Sequence, residues 1–146
     1  MPTRITRFLH NNPVTGTQAL GTSFDVNDVH AHDLTSYLPA FQKDGANFFG
    51  IVDTIQVVLT SATSASSVTI RLCEDAAGDI VLVPDTEADL VAGITTATTK
   101  CAMFSVDMPM WQDLGGPGNG TLYLFVKVDD ATSNPVFTGS ECFWQE

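Results

Sequence analysis

Two stretches of this chain alternate apolar and polar residues with a period of two, and that alternation constrains the fold more than anything else in the sequence. Ser67 to Cys73 (SVTIRLC) sets Val68, Ile70 and Leu72 against Thr69 and Arg71. Thr121 to Val128 (TLYLFVKV) sets Leu122, Leu124, Val126 and Val128 against Tyr123, Phe125 and Lys127. Successive side chains of a strand point to opposite faces of its sheet, so each run reads as a strand with one face in a core. Gly50 to Thr60 (GIVDTIQVVLT) adds a third, with Ile51, Ile55, Val57 and Leu59 on one side and Val52, Thr54, Gln56 and Val58 on the other. Lys100 to Met108 (KCAMFSVDM) adds a fourth, with Ala102, Phe104 and Val106 facing the core.

Turn chemistry joins these runs. EDAAGD, Glu74 to Asp79, reads as a hairpin into Ile80 to Val83, with Gly78 supplying a positive φ. The spacing then predicts a longer connection over Pro84 to Thr99, a turn over Asp129 to Pro135 and a closing strand over Val136 to Trp144. A first strand at Thr3 to Phe8 and another near Ala19 to Val26 bring the total to about eight, with no long helix. Only four of the seventeen acids are glutamate and only three residues are lysine, which leaves few of the residues that build surface helices. The 146 residues make one domain, able to remove roughly two-thirds of its unfolded surface from water. The expected fold is an all-β, single-domain antiparallel sandwich of jelly-roll type, in which two sheets cover each other's inner faces. An immunoglobulin-like sandwich is the alternative, disfavoured because no pair of cysteines flanks a core tryptophan.

Charge narrows the partners. The net charge is -11, and nucleic acid binding requires lysine and arginine to displace counterions from phosphates; no nucleic acid partner is expected. The distribution is uneven. Arg4 and Arg7 give the first 24 residues +2, while the remainder sets four bases against seventeen acids, or -13. Residues 1–17 therefore read as an extended N-terminal arm with a partner of its own. No segment is apolar enough to span a membrane, and MPTRITRFLHNN lacks the apolar centre of a secretion signal, so neither a membrane nor a secretory route is expected. Cys73, Cys101 and Cys142 lie far apart and read as free thiols. Asn119-Gly120-Thr121 has the form of a glycosylation sequon but reads as a turn.

Three segments invite a chemical reading. DVNDVHAHD, Asp25 to Asp33, offers His30 and His32 two residues apart, a spacing that chelates one ion. The cupin enzymes place such a pair on a jelly roll, but with a following glutamate and a distant third histidine; here neither occurs, since no histidine follows His32. Asp28 and His32 would also stand roughly 13 Å apart on an extended strand. His30 and His32 are accordingly weak metal candidates, and no cofactor is expected. The carboxylates of EDAAGD lack the alternating oxygen ligands of a calcium loop. GGPGNG, Gly115 to Gly120, lacks the lysine and the following helix of a phosphate cradle. No Gly-x-Ser-x-Gly elbow or neighbouring cysteine and histidine appears, so no catalytic residue is assigned and the chain is not expected to be an enzyme.

Strands apolar on both faces are the positive signal. Tyr123 and Phe125 occupy the polar side of TLYLFVKV, and Phe143 and Trp144 end the last strand. With Arg4, Arg7 and Phe8 of the arm they form the candidate interface set, since aromatic and arginine side chains dominate interface centres. The competing reading buries the aromatics beneath a loop such as Trp111 to Asn119. In its sandwich, its extended start MPTRITRFLHNNPVTGTQ, the strands SVTIRLC and TLYLFVKV, and its acidic, lysine-poor surface, the chain resembles the small jelly-roll decoration, or cement, proteins of tailed-phage heads. The resemblance implies a homotrimer, made in the host cytoplasm, that binds the major capsid protein on the capsid exterior and stabilises the shell. The alternative is a carbohydrate-binding module or lectin-like adhesin, with Trp111, Gln112 and Asp113 beside the glycine-rich loop as the glycan site.

Overall fold

The computed structural model describes residues 5–8, 19–24, 32–33, 48–112 and 123–145, and side chains within them over 19–24, 54–107 and 123–138. Among the described residues there are nine strands and no helix. They are β1 (Ile5–Phe8), β2 (His32–Asp33), β3 (Phe48–Thr60), β4 (Ser67–Cys73), β5 (Val81–Asp89), β6 (Val91–Ala92), β7 (Lys100–Gln112), β8 (Tyr123–Val128) and β9 (Val136–Gln145).

The strands form a five-stranded sheet in the order β1-β9-β3-β7-β6 and a four-stranded sheet in the order β2-β8-β4-β5, all pairs antiparallel. Setting aside the two-residue β6 leaves eight strands that pair first with last: β1 with β9, β2 with β8, β3 with β7 and β4 with β5. That nesting is one long antiparallel ribbon, rolled so that β9 meets β3 and β8 meets β4. It is the strand order of a jelly roll, as the sequence pattern predicts, and it differs from the immunoglobulin arrangement.

The core lies where the alternation places it. Ile55, Val57, Leu59, Ala102, Phe104 and Phe137 from one sheet meet Val68, Ile70, Leu72, Leu124, Val126 and Val128 from the other, and all are buried. Leu20 joins them from outside the strands. Each of these side chains larger than alanine contributes about 1.5–3 kcal/mol on leaving water, which fixes the register of both sheets because a one-residue slip would turn the set outwards.

Three elements differ from the sequence expectation, each for a local reason. Strand β5 does not stop at Pro84 but runs through it to Asp89. Its register against β4 shifts between Ile70 and Leu72, so that Arg71 stands opposite both Pro84 and Asp85. Because β5 is the last strand of its sheet, the proline's missing N–H breaks no ladder. The strand expected over Ala19 to Val26 is reduced, among the described residues, to a single bridge from Ala19 to Val136. Leu20 N–H then donates to Pro135 at 2.7 Å, and Gly21 accepts from Val128 N–H at 3.1 Å. In β3 the alternation holds over Ile55 to Leu59, but a register shift between Val52 and Thr54 interrupts it before Ile51. On β7 the same irregularity places Asp107 in the left-handed region, at φ 43°. The first strand, for its part, lies on the sheet edge: Ile5–Phe8 pairs with β9, which attaches that part of residues 1–17 to the sandwich.

Candidate interaction surfaces

The outer face of the four-stranded sheet carries a cation and aromatic cluster. Arg71 on β4 is the register partner of Phe125 on β8, and Thr69 is the partner of Lys127. Phe24, arriving from the Leu20 segment, lies over them, its ring edge-on to Phe125 with centroids 6.2 Å apart. The Arg71 guanidinium and the Lys127 ammonium each stand 4.7 Å from the Phe24 ring centroid. Cations are held there by the negative face of the ring. The Arg71 fork also grips Asp85 in two bonds, Nε to Oδ1 at 2.6 Å and one terminal nitrogen to Oδ2 at 3.2 Å. That bond raises the Arg71 pKa and holds the Asp85 carboxyl below its ordinary range. The β5 bulge at Pro84 delivers Asp85 to this position, so a proline on an edge strand sets the geometry of the pair.

Phe125 does not serve as the open contact expected of it. It points away from the inter-sheet core, as the alternation says, yet only 1% of it is exposed. Beside it Cys73 is fully buried, and burial pushes its thiol pKa up. Tyr123 on the same strand is half-buried. The two-faced apolar pattern thus supports a second cluster outside the main core, closed over by Phe24.

The outer face of the five-stranded sheet is different. Met103 is 53% exposed and Val91 64% exposed. Val91 is the register partner of Cys101, which is the partner of Val58; Met103 is the partner of Gln56, and Gln56 of Glu141. Sequence reasoning passed over Met103 and Val91, although the alternation that sends Ala102 and Phe104 inwards already sends Met103 out.

Loops at the end where β3 meets β4 are clipped together by polar groups. The Ser64 and Ser133 hydroxyls lie 2.7 Å apart, and Ser133 Oγ donates to the Ser61 carbonyl at 2.8 Å. The Asp129 carboxylate accepts the N–H groups of Ser66 and Ser67 at 2.9 and 3.1 Å. Burial raises its pKa, and backbone N–H groups, those of Ser67 and Ser66 foremost, together outweigh the rise and leave it lowered. Asp75 does the same work in the EDAAGD turn, accepting from Asp79 and Ile80 N–H, while Gly78 sits at φ 82° as expected. Its pKa is lowered, chiefly by the Ile80 bond. These carboxylates are occupied in holding turns.

The remaining sequence candidates fall on both sheets. Arg7 and Phe8 in β1 are register partners of Phe143 and Cys142 in β9, and Trp144 stands between Thr6 and Val52. Tyr123 and Phe125 are on the other sheet, so the interface set is not one patch. Trp111 and Gln112 end β7 opposite Phe49 and Phe48. His32 pairs with Leu124. Arg4, His30 and Asp113 lie outside the described residues, as does GGPGNG. No group of three or more histidine, cysteine, aspartate or glutamate side chains gathers as a metal site among the described residues.

Strand order and buried core define the chain as a jelly-roll sandwich. No family model matches it, and no curated protein does. One solved structure that it matches is the cryo-EM structure of a virus-like particle of extra small virus from the giant freshwater prawn Macrobrachium rosenbergii. The two chains are 9% identical over 99% of this chain and 79% of the other, at a TM-score of 0.42. That neighbour is a viral capsid structure of weak similarity.

Proposed function

We propose that this chain is a structural, non-enzymatic protein of a virus particle, a decoration or cement protein that binds the outside of a phage capsid. The supporting observation is the jelly-roll ribbon with exposed apolar side chains on the outer face of one sheet. The jelly roll serves as a capsid unit and as a lectin scaffold, and apolar side chains left in water on a sheet face are what an assembling subunit covers. In this reading the chain acts as a homotrimer, its partner is the major capsid protein, and it sits on the capsid exterior after synthesis in the host cytoplasm. Stabilisation then comes from bridging neighbouring capsid subunits, each bridge adding contact area that the shell must lose before it opens.

The test is co-expression with the major capsid protein encoded in the same genome, followed by gradient sedimentation. The chain is expected in the particle fraction, and particles carrying it are expected to survive heating that opens bare ones. Recovery at the top of the gradient, free of particles, would overturn the decoration role. Glycan binding that is lost in Trp111→Ala would favour the adhesin reading instead.

A further inference from the structure

The end of the sandwich where β3 meets β4 is built from three loops, residues 61–66, 93–99 and 129–135. Hydrogen bonds tie them together. Ala62 N–H donates to the Thr98 carbonyl at 2.9 Å, Leu90 N–H to the Ser66 carbonyl at 2.8 Å, and Ser64 N–H to Ser133 Oγ at 3.1 Å. Within the second loop Gly93 N–H donates to the Thr99 carbonyl at 2.8 Å, Thr98 N–H donates to Thr96 Oγ1 at 3.2 Å, and the Thr96 and Thr98 hydroxyls lie 2.8 Å apart. The turn closes so tightly that a Cβ on Gly93 would stand 3.1 Å from the Thr96 carbonyl oxygen. These bonds shape the loop before any partner arrives.

What the loop presents is apolar. Ile94 stands clear of the sandwich at 105% exposure, against 64% for Val91 and 53% for Met103. From Val91 to Thr99 no side chain is ionisable, so no charge has to leave water when the loop is covered. An aliphatic side chain on a preformed loop suits an interface anchor, because its burial is favourable and little ordering entropy is lost. The surroundings set the sign of the partner. Asp89, exposed at the end of β5, is the register partner of Ser67; Asp129 accepts the Ser66 and Ser67 N–H groups, and Asp130 follows it. None of the three loops contains a lysine or arginine, and Lys100, just past the second, is committed to the Ala65 carbonyl. A complementary surface carries bases around an apolar pocket, whereas nucleic acid or an anionic membrane is repelled.

We propose that Ile94 anchors this end of the molecule in an apolar pocket of the major capsid protein, with lysine or arginine side chains of that protein facing Asp89, Asp129 and Asp130. This inference rests on the capsid reading and gives it a contact surface. The test is co-sedimentation of the full chain with particles of the major capsid protein encoded in the same genome, at low and high salt, for the wild type, Ile94→Ser, Ile94→Leu and Asp89→Asn. Ile94→Ser is expected to bind at least about tenfold more weakly with an unchanged circular dichroism spectrum, and Ile94→Leu to stay within about threefold of the wild type. Asp89→Asn is expected to weaken binding about threefold at low salt and to match the wild type at high salt, where rim charges are screened. Equal binding by the wild type and Ile94→Ser would overturn the anchor and leave the decoration role standing. Tighter binding by Asp89→Asn would overturn the basic rim. A wild-type chain that never enters the particle fraction would overturn the role and the contact together.

Discussion

Phe24 shows how a single residue can carry an arrangement that its sequence neighbourhood does not announce. It lies in no strand, yet its ring contacts Phe125 and two of the six basic side chains of the molecule. Phe24→Ala removes the edge-on contact and both cation contacts, and uncovers the otherwise buried Phe125. The expected loss is about 2 kcal/mol, from partial burial of a phenyl ring plus two part-exposed cation contacts. Urea denaturation checks it, and a loss below about 0.5 kcal/mol, the range of an ordinary surface change, would mean that Phe125 is covered by something else. The Arg71 and Asp85 pair adds little by itself, since their side chains are 29% and 42% exposed and water screens them. Its weight is positional, keeping Arg71 upright under the Phe24 ring.

At the scale of elements, the long strands follow from alternation and the short ones do not. β4 and β8 bury the residues the sequence pattern assigns, because a strand in the middle of a two-layer sandwich has one face in the core and no local alternative. β6 is two residues long, too short for any period, and forms where β7 offers it an edge. The first strand is legible as a strand, but its place beside β9 is not, since the two are separated by nearly the whole chain. That placement changes what truncation does. Deleting Met1 to Asn12 removes β1 and opens the β9 edge over Cys142 to Gln145. The expected outcome is a lower thermal midpoint together with concentration-dependent scattering, from an unprotected edge. A truncated chain that melts like the full one and stays clear would show that the segment serves only as an arm.

For the whole molecule, charge sets the response to pH. Asp75, Asp85, Asp129 and Asp130 all have pKa values lowered in the fold by hydrogen bonds that their carboxylates accept. A group whose folded pKa lies below its unfolded value adds stability above the unfolded value, and that contribution is lost as pH falls through the folded one. Stability is therefore expected to stay level from about pH 7 to about pH 5 and to decline below about pH 4, where unfolded aspartates take up protons first. Denaturation midpoints measured across that range check the sign. A midpoint that rises on acidification would show relief of the -11 self-repulsion outweighing the four turn and edge carboxylates.

Local patterning was enough for the fold class, the core positions within β3, β4, β7 and β8 and the turn at Gly78, because period-two burial and a positive φ are properties that each segment expresses alone, whereas Leu20 and Phe137 join the core without such a signal. The rest follows from which strands meet: that the eight strands nest first with last, that Pro84 continues an edge strand and so delivers Asp85 to Arg71, and that Phe125 lies beneath Phe24. Each of these depends on which strands become neighbours. That choice is made by closing the core as a whole, and no window of sequence contains it.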